Sequence, residues 1–146
     1  MKLVGFKQNQ FDLKNKNHWY LLLTVLTVIA VFIFYSNQDA TIEIKNKSIN
    51  IHGMYGIEIP FTSIESIDSI QSMPHIGFKS NGYSFGSVNK GYFHVTDMGN
   101  ALLFVTTNSS PIIKIRMRTG NFVFINYSNR DETVRLYKTI AHQFIQ

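Results

Sequence analysis

Two hydrophobic patterns divide the chain. Residues 19–35 read WYLLLTVLTVIAVFIFY, a run without a charge and with nothing more polar than threonine. As a helix rising 1.5 Å per residue the run extends about 26 Å, the short end of what a hydrocarbon layer of about 30 Å requires. The pattern predicts a single transmembrane helix. Trp19, Tyr20 and Tyr35 mark its two ends, where amphipathic rings settle at a membrane interface. A buried core helix has no reason to place its aromatics so. A secretory signal would need a shorter apolar core and a small-x-small cleavage site, and the region after the run offers only Asp39-Ala40-Thr41.

Beyond Asn37 apolar and polar residues alternate, the period of a strand with one face in a core. Thr41-Ile42-Glu43-Ile44-Lys45, a short turn at Asn46-Lys47, and Ile49-Asn50-Ile51-His52-Gly53 predict a hairpin. Ile57-Glu58-Ile59 follows a turn at Gly53-Met54-Tyr55-Gly56, and Ile64, Ile67 and Ile70 mark a strand with a bulge or irregular period. Further strands are expected over residues 91–96, 101–106, 112–117 and 122–127, joined by segments rich in turn formers. At the end of the chain the period changes. Ser128-Asn129 is placed to cap a helix with Asp131 and Glu132 in its first turn, and Val134, Tyr137, Ile140, Ala141 and Phe144 recur at helical spacing. The expected domain is mainly β: a bent antiparallel sheet or sandwich of about seven strands, closed by one C-terminal amphipathic helix.

That architecture resembles the pleckstrin-homology-like (PH) fold. The run Ile49-Asn50-Ile51-His52-Gly53-Met54-Tyr55-Gly56, the isoleucine-rich segment 57–70, and Ile76-Gly77-Phe78-Lys79-Ser80-Asn81-Gly82-Tyr83 with Gly91-Tyr92-Phe93 are similar to the PH domains of membrane-anchored bacterial proteins. The resemblance covers roughly residues 40–144. It implies a membrane-associated module, its motifs being structural, and carries no catalytic residue over. PH domains that bind phosphoinositides place a basic cluster in the loop between their first two strands, where this chain has only Asn46-Lys47, so that ligand is not transferred. The expected organisation is a basic tail (1–18), a transmembrane helix (19–35) and a PH-like domain (40–146).

Charge sharpens this picture. The net charge is +5, from 14 basic and 9 acidic residues. The tail holds Lys2, Lys7, Lys14, Lys16 and Asp12, so +3 sits beside the apolar run and only +2 on the remaining domain. Lysines near an anionic leaflet are attracted by about 1 kcal/mol each. Only Lys45 and Lys47 occur in the twenty residues after the run, so the bias places the N-terminus inside and the domain outside. A nearly balanced domain argues against nucleic acid, whose phosphates demand clustered cations. Cysteine is absent, which fits either side of a membrane.

Chemistry-bearing motifs are sparse. His18, His52, His75, His94 and His142 are scattered without metal-ligand spacing, and Gly82-Tyr83-Ser84-Phe85-Gly86 matches neither a P-loop nor a dinucleotide fingerprint. No cofactor and no small-molecule substrate is indicated, and no nucleophile elbow appears. Asn46-Lys47-Ser48, Asn108-Ser109-Ser110 and Asn126-Tyr127-Ser128 match the glycosylation sequon, as chance allows in an asparagine-rich chain. Two surfaces stand out. Residues 73–93 interleave glycines with aromatics and read as a loop of about twenty residues, a length that is often functional; Phe78, Lys79, Tyr83, Phe85 and Lys90 are its candidate contacts, although aromatics in so small a chain also serve as core. Lys114, Arg116 and Arg118 alternate with apolar residues and form a candidate basic face, or the solvated side of a half-buried strand. The expectation is a single-pass membrane protein that presents a PH-like binding or assembly module next to the bilayer, its contact surface meeting a protein partner, its own copies or the bilayer, without catalysis. An enzyme with a dispersed site is the alternative.

Overall fold

A computed structural model describes residues 16–145, so the tail lysines Lys2, Lys7 and Lys14 lie outside the described residues. The chain falls into two units, residues 1–35 and 36–146. The first contains helix α1 (Lys16–Ser36) up to Tyr35. Segment His18–Ser36 is long and apolar enough to cross a membrane. Its large apolar side chains are exposed, from Leu23 at 47% to Phe34 at 71%, with Ile33 half-buried. A helix apolar on every side has no polar face to turn to water.

The second unit is mainly β, with nine strands in two sheets. Strands β1 (Thr41–Lys45), β2 (Ser48–His52) and β3 (Ile57–Pro60) form an antiparallel sheet in sequence order. The β1–β2 turn places Asn46 at φ 54° and Lys47 at φ 59°, the paired left-handed residues of a tight hairpin that asparagine tolerates well. Strands β4 (Ile64–Ile70), β5 (Ile76–Phe85), β6 (Val88–Val95), β7 (Gly99–Thr106), β8 (Ile112–Met117) and β9 (Phe122–Ile125) form the second sheet in the order β4-β8-β9-β7-β6-β5. The expected irregularity in β4 is a register shift between Ile64 and Ser66 against β8. One pairing departs from the antiparallel expectation: β7 and β9 run parallel.

The structure has one strand more than the eight segments read from the sequence, because residues 73–93 are not a long loop. They contain β5 and most of β6, an antiparallel hairpin with register shifts between Ile76 and Phe78 and between Lys79 and Asn81. Where Gly82 faces Gly91 the strands approach closely. A Cβ on Gly91, at φ +109°, would lie 2.6 Å from the Asn81 carbonyl oxygen and 2.7 Å from the Gly82 Cα, so both space and conformation demand glycine.

Strand β7 explains the core. Its residues alternate between two apolar clusters: Leu102 and Phe104 join Ile49, Ile51, Ile59, Ile113, Ile115, Val123 and Ile125, while Ala101, Leu103 and Val105 join Phe93, Val95, Ile112 and Phe124. A strand buried on both faces reads as a continuous apolar run, as residues 101–105 do. Helix α2 (Arg130–Ile145) closes the first cluster. Asn129 caps it, its Oδ1 accepting from the Asp131 amide at 2.9 Å. The buried stripe differs from the expected one: Thr133, Leu136 and Ile140 are buried, with Tyr137 and Phe144 packed beside them, while Val134 and Ala141 are only half-buried. Thr133 sits inward because its hydroxyl accepts from the Tyr127 amide at 2.9 Å.

Candidate functional site

The β5–β6 hairpin carries all five candidate contact residues, and it sorts them into two groups. Phe78, Lys79 and Phe85 are exposed, Phe78 at 61% and Phe85 at 52%. Phe78 stacks on His94, with centroids 5.0 Å apart and planes 11° from parallel. Tyr92, one of the aromatics of this segment but not among the five candidate contacts, is exposed on the same hairpin and meets Tyr55 edge to face at 6.3 Å. Phe85 ends β5 just before the turn at Gly86 and Ser87.

Tyr83 and Lys90 face each other across the hairpin and hold residues 36–38. This corrects the expectation of an exposed Lys90, which is buried at 8%. Its ammonium donates to the Ser36 carbonyl at 2.7 Å and also to the Gln38 carbonyl. The Tyr83 hydroxyl donates to Asn37 Oδ1 at 3.3 Å. Asp39 accepts from the Ser128 amide and hydroxyl, both at 3.0 Å. Burial lowers the Lys90 pKa from 10.5, and the Asp39 carboxylate opposes that shift. A buried ammonium without an ion pair in contact is costly unless its donors are used, and two backbone carbonyls use them here. The Ser36 hydroxyl is buried with no partner among the described residues.

The basic face is present but engaged. Lys114 pairs with Asp68 and Arg116 with Glu65, each at 3.1 Å, both acids coming from the neighbouring β4. The Arg116 guanidinium also lies 6.0 Å from the centre of the Phe122 ring. Arg118 Nε donates to the Thr62 carbonyl at 2.9 Å. Neither acid could be assigned to its cation without the β4–β8 register. Among the described residues no three His, Cys, Asp or Glu side chains gather to hold a metal ion.

A cavity of about 560 Å³ opens beside the hairpin tip, lined by Asn37, Phe85, Ser87, Thr106, Asn108 and Ser128 among others. Its wall is tied together from behind by Asn126, buried at 4%. The Asn126 Oδ1 accepts from the Thr106 amide at 2.7 Å, and its Nδ2 donates to the carbonyls of Thr106 at 3.0 Å and Ser109 at 2.9 Å. Sequence reasoning missed this site. Its signal was the pair of asparagine segments at 108–110 and 126–128, which as sequons said nothing about a cavity.

A family model described as a bacterial PH domain matches residues 40–140, which is 101 of the chain's 146 residues. Comparison with curated proteins and with solved structures gave no match.

Proposed function

The chain belongs to the bacterial PH domain family, and on that premise we propose that it is a single-pass membrane protein whose PH domain acts by binding, without catalysis. The observation that carries this reading is the attachment of residues 36–39. Four of the groups in this short segment are bonded to the domain, two of them to the buried Lys90. Cleavage of a signal sequence just after the apolar run would fall in this segment and strip the carbonyls from Lys90. An uncleaved anchor keeps them. The lysine bias of the tail further favours an inside N-terminus and an outside domain.

The contact surface in this proposal is the exposed side of the β5–β6 hairpin: Phe78, Lys79, Phe85 and Tyr92. Aromatic residues beside a cation are the composition of protein-contact centres, and the basic face is less suited because its cations are already engaged. The partner is a protein or a second copy of this chain. Photo-crosslinking from position 79 or 92, both exposed on this surface, in intact membranes tests it. A discrete crosslinked species that disappears with Phe78→Ser plus Phe85→Ser supports the surface; no discrete species from either position removes it.

A further inference from the structure

The cavity beside the hairpin tip has the chemistry of a site for a neutral, hydroxyl-rich ligand. Its lining contains two amides, from Asn37 and Asn108, and four hydroxyls, from Ser87, Thr106, Ser109 and Ser128, together with Phe85 and Val88. It includes no charged side chain. The adjacent carboxylate of Asp39 is engaged by Ser128, and its sign disfavours a phosphate or another anion. An anion site would need Lys, Arg or several aligned backbone amides, and a cation site would need carboxylates turned inward. What remains is a surface of neutral donors and acceptors with one exposed aromatic ring. The two faces of a sugar, one of C–H groups and one rim of hydroxyls, match such a surface.

Two further features favour a ligand site over an incidental hollow. The volume, about 560 Å³, lies in the range of roughly 300–1,000 Å³ typical of small-molecule sites. The walls are also preorganised: Asn126 fixes the Thr106 and Ser109 backbone, Ser109 Oγ donates to the Ser128 carbonyl at 3.0 Å, and the Ser87 carbonyl accepts from the Thr107 amide at 2.8 Å. Hydrogen-bonding capacity is left over, since neither the Asn108 amide nor the Ser87 hydroxyl has a partner among the described residues.

We propose that this cavity binds a neutral saccharide, stacked on Phe85 and hydrogen-bonded by Asn108 and Ser87. The inference rests on the binding-module reading of the domain but not on membrane anchoring. The saccharide could be free or the headgroup of a glycolipid, and the test separates these sources. Full-length protein, kept in a detergent without a sugar headgroup, is titrated with maltose and followed by saturation-transfer NMR. In parallel, it is placed in phosphatidylcholine nanodiscs with or without diglucosyl diacylglycerol, or with phosphatidylglycerol, and hydrogen exchange is followed at residues 84–88 and 106–109. Saturation transfer to maltose, or slowed exchange with the glycolipid alone, supports the site and identifies the source. Phe85→Ala and Asn108→Ala, both at exposed positions, should each weaken that response about tenfold while leaving the thermal transition in place. No response to either sugar probe, an equal response to phosphatidylglycerol, or full retention in both variants overturns the proposal. Failure here with intact crosslinking at position 79 leaves the binding-module reading standing.

Discussion

Lys90 and Ser36 are 54 residues apart, yet the buried ammonium of one donates to the carbonyl of the other at 2.7 Å. The bond makes residues 36–39 part of the folded domain. A flexible tether would have no need of a buried cation, which must be desolvated to reach this position.

The first prediction tests that bond. Lys90→Met keeps the aliphatic stem and deletes the charge, leaving the Ser36 and Gln38 carbonyls without their donor. A buried group so orphaned costs about 1–3 kcal/mol, so the thermal transition of the domain should fall clearly. Lys79→Met, at an exposed position of the same hairpin, should change it by less than about 0.5 kcal/mol. Equal, small effects from both would mean that Lys90 carries no structural bond.

Alkaline pH should act on Lys90 and Tyr127 in opposite senses. The folded Lys90 pKa lies below 10.5, so the unfolded chain keeps its proton to higher pH. The cost to stability is fully felt below the folded value and is relieved as pH rises through 10.5. The folded Tyr127 pKa is raised above 10.0 by burial first, then by Glu132 and Asp39, against a backbone hydrogen bond at Ile42. Its contribution is complete below pH 10.0 and is lost as pH rises through the folded value. Tyr127→Phe should therefore flatten the fall in stability above pH 10, and Lys90→Met should remove the rise approaching 10.5. Urea unfolding across this window checks both, and alkaline profiles unchanged from wild type in the two variants would contradict them.

Asn126 should be among the least replaceable polar residues. It serves three backbone groups with bonds of 2.7 to 3.0 Å, so Asn126→Leu removes a bond from all three, the Thr106 carbonyl keeping the Ser109 amide at 3.0 Å. A loss of about 2–4 kcal/mol is expected, since the asparagine's bonds are buried and not replaced by leucine. Denaturant midpoints measure it. A loss under about 1 kcal/mol would indicate that water takes over those bonds.

Helix α2 gives a graded series. Leu136, absent from the expected stripe, is buried, so Leu136→Ala should cost about 2–5 kcal/mol, and half-buried Val134→Ala markedly less. The reverse ranking would show that the helix packs through the stripe read from apolar spacing and not the one observed.

The contrast between those stripes shows how far the sequence was legible. Apolar periodicity located the helix and its cap, but it scored Thr133 as polar, because the bond that satisfies its hydroxyl lies at Tyr127. The β1–β2 hairpin, the irregular β4 and the continuous run of β7 were readable because each pattern is local. Strand β5 was not: two register shifts and the close Gly82–Gly91 approach break its period of two, so it resembles a loop. Lys90 looked like a surface cation because the carbonyls that hold it lie before the first strand. The Lys114 and Arg116 pairs, and the cavity walls supported by Asn126, likewise depend on strand register, which local pattern does not encode.

The central claim, an uncleaved anchor preceding a PH domain, is tested most directly by peptide mapping of the native protein recovered from carbonate-washed membranes. The account predicts that residues 19–35 are recovered on the same chain as the domain, retained in the pellet. A chain beginning between residues 36 and 42 and released to the supernatant would contradict it.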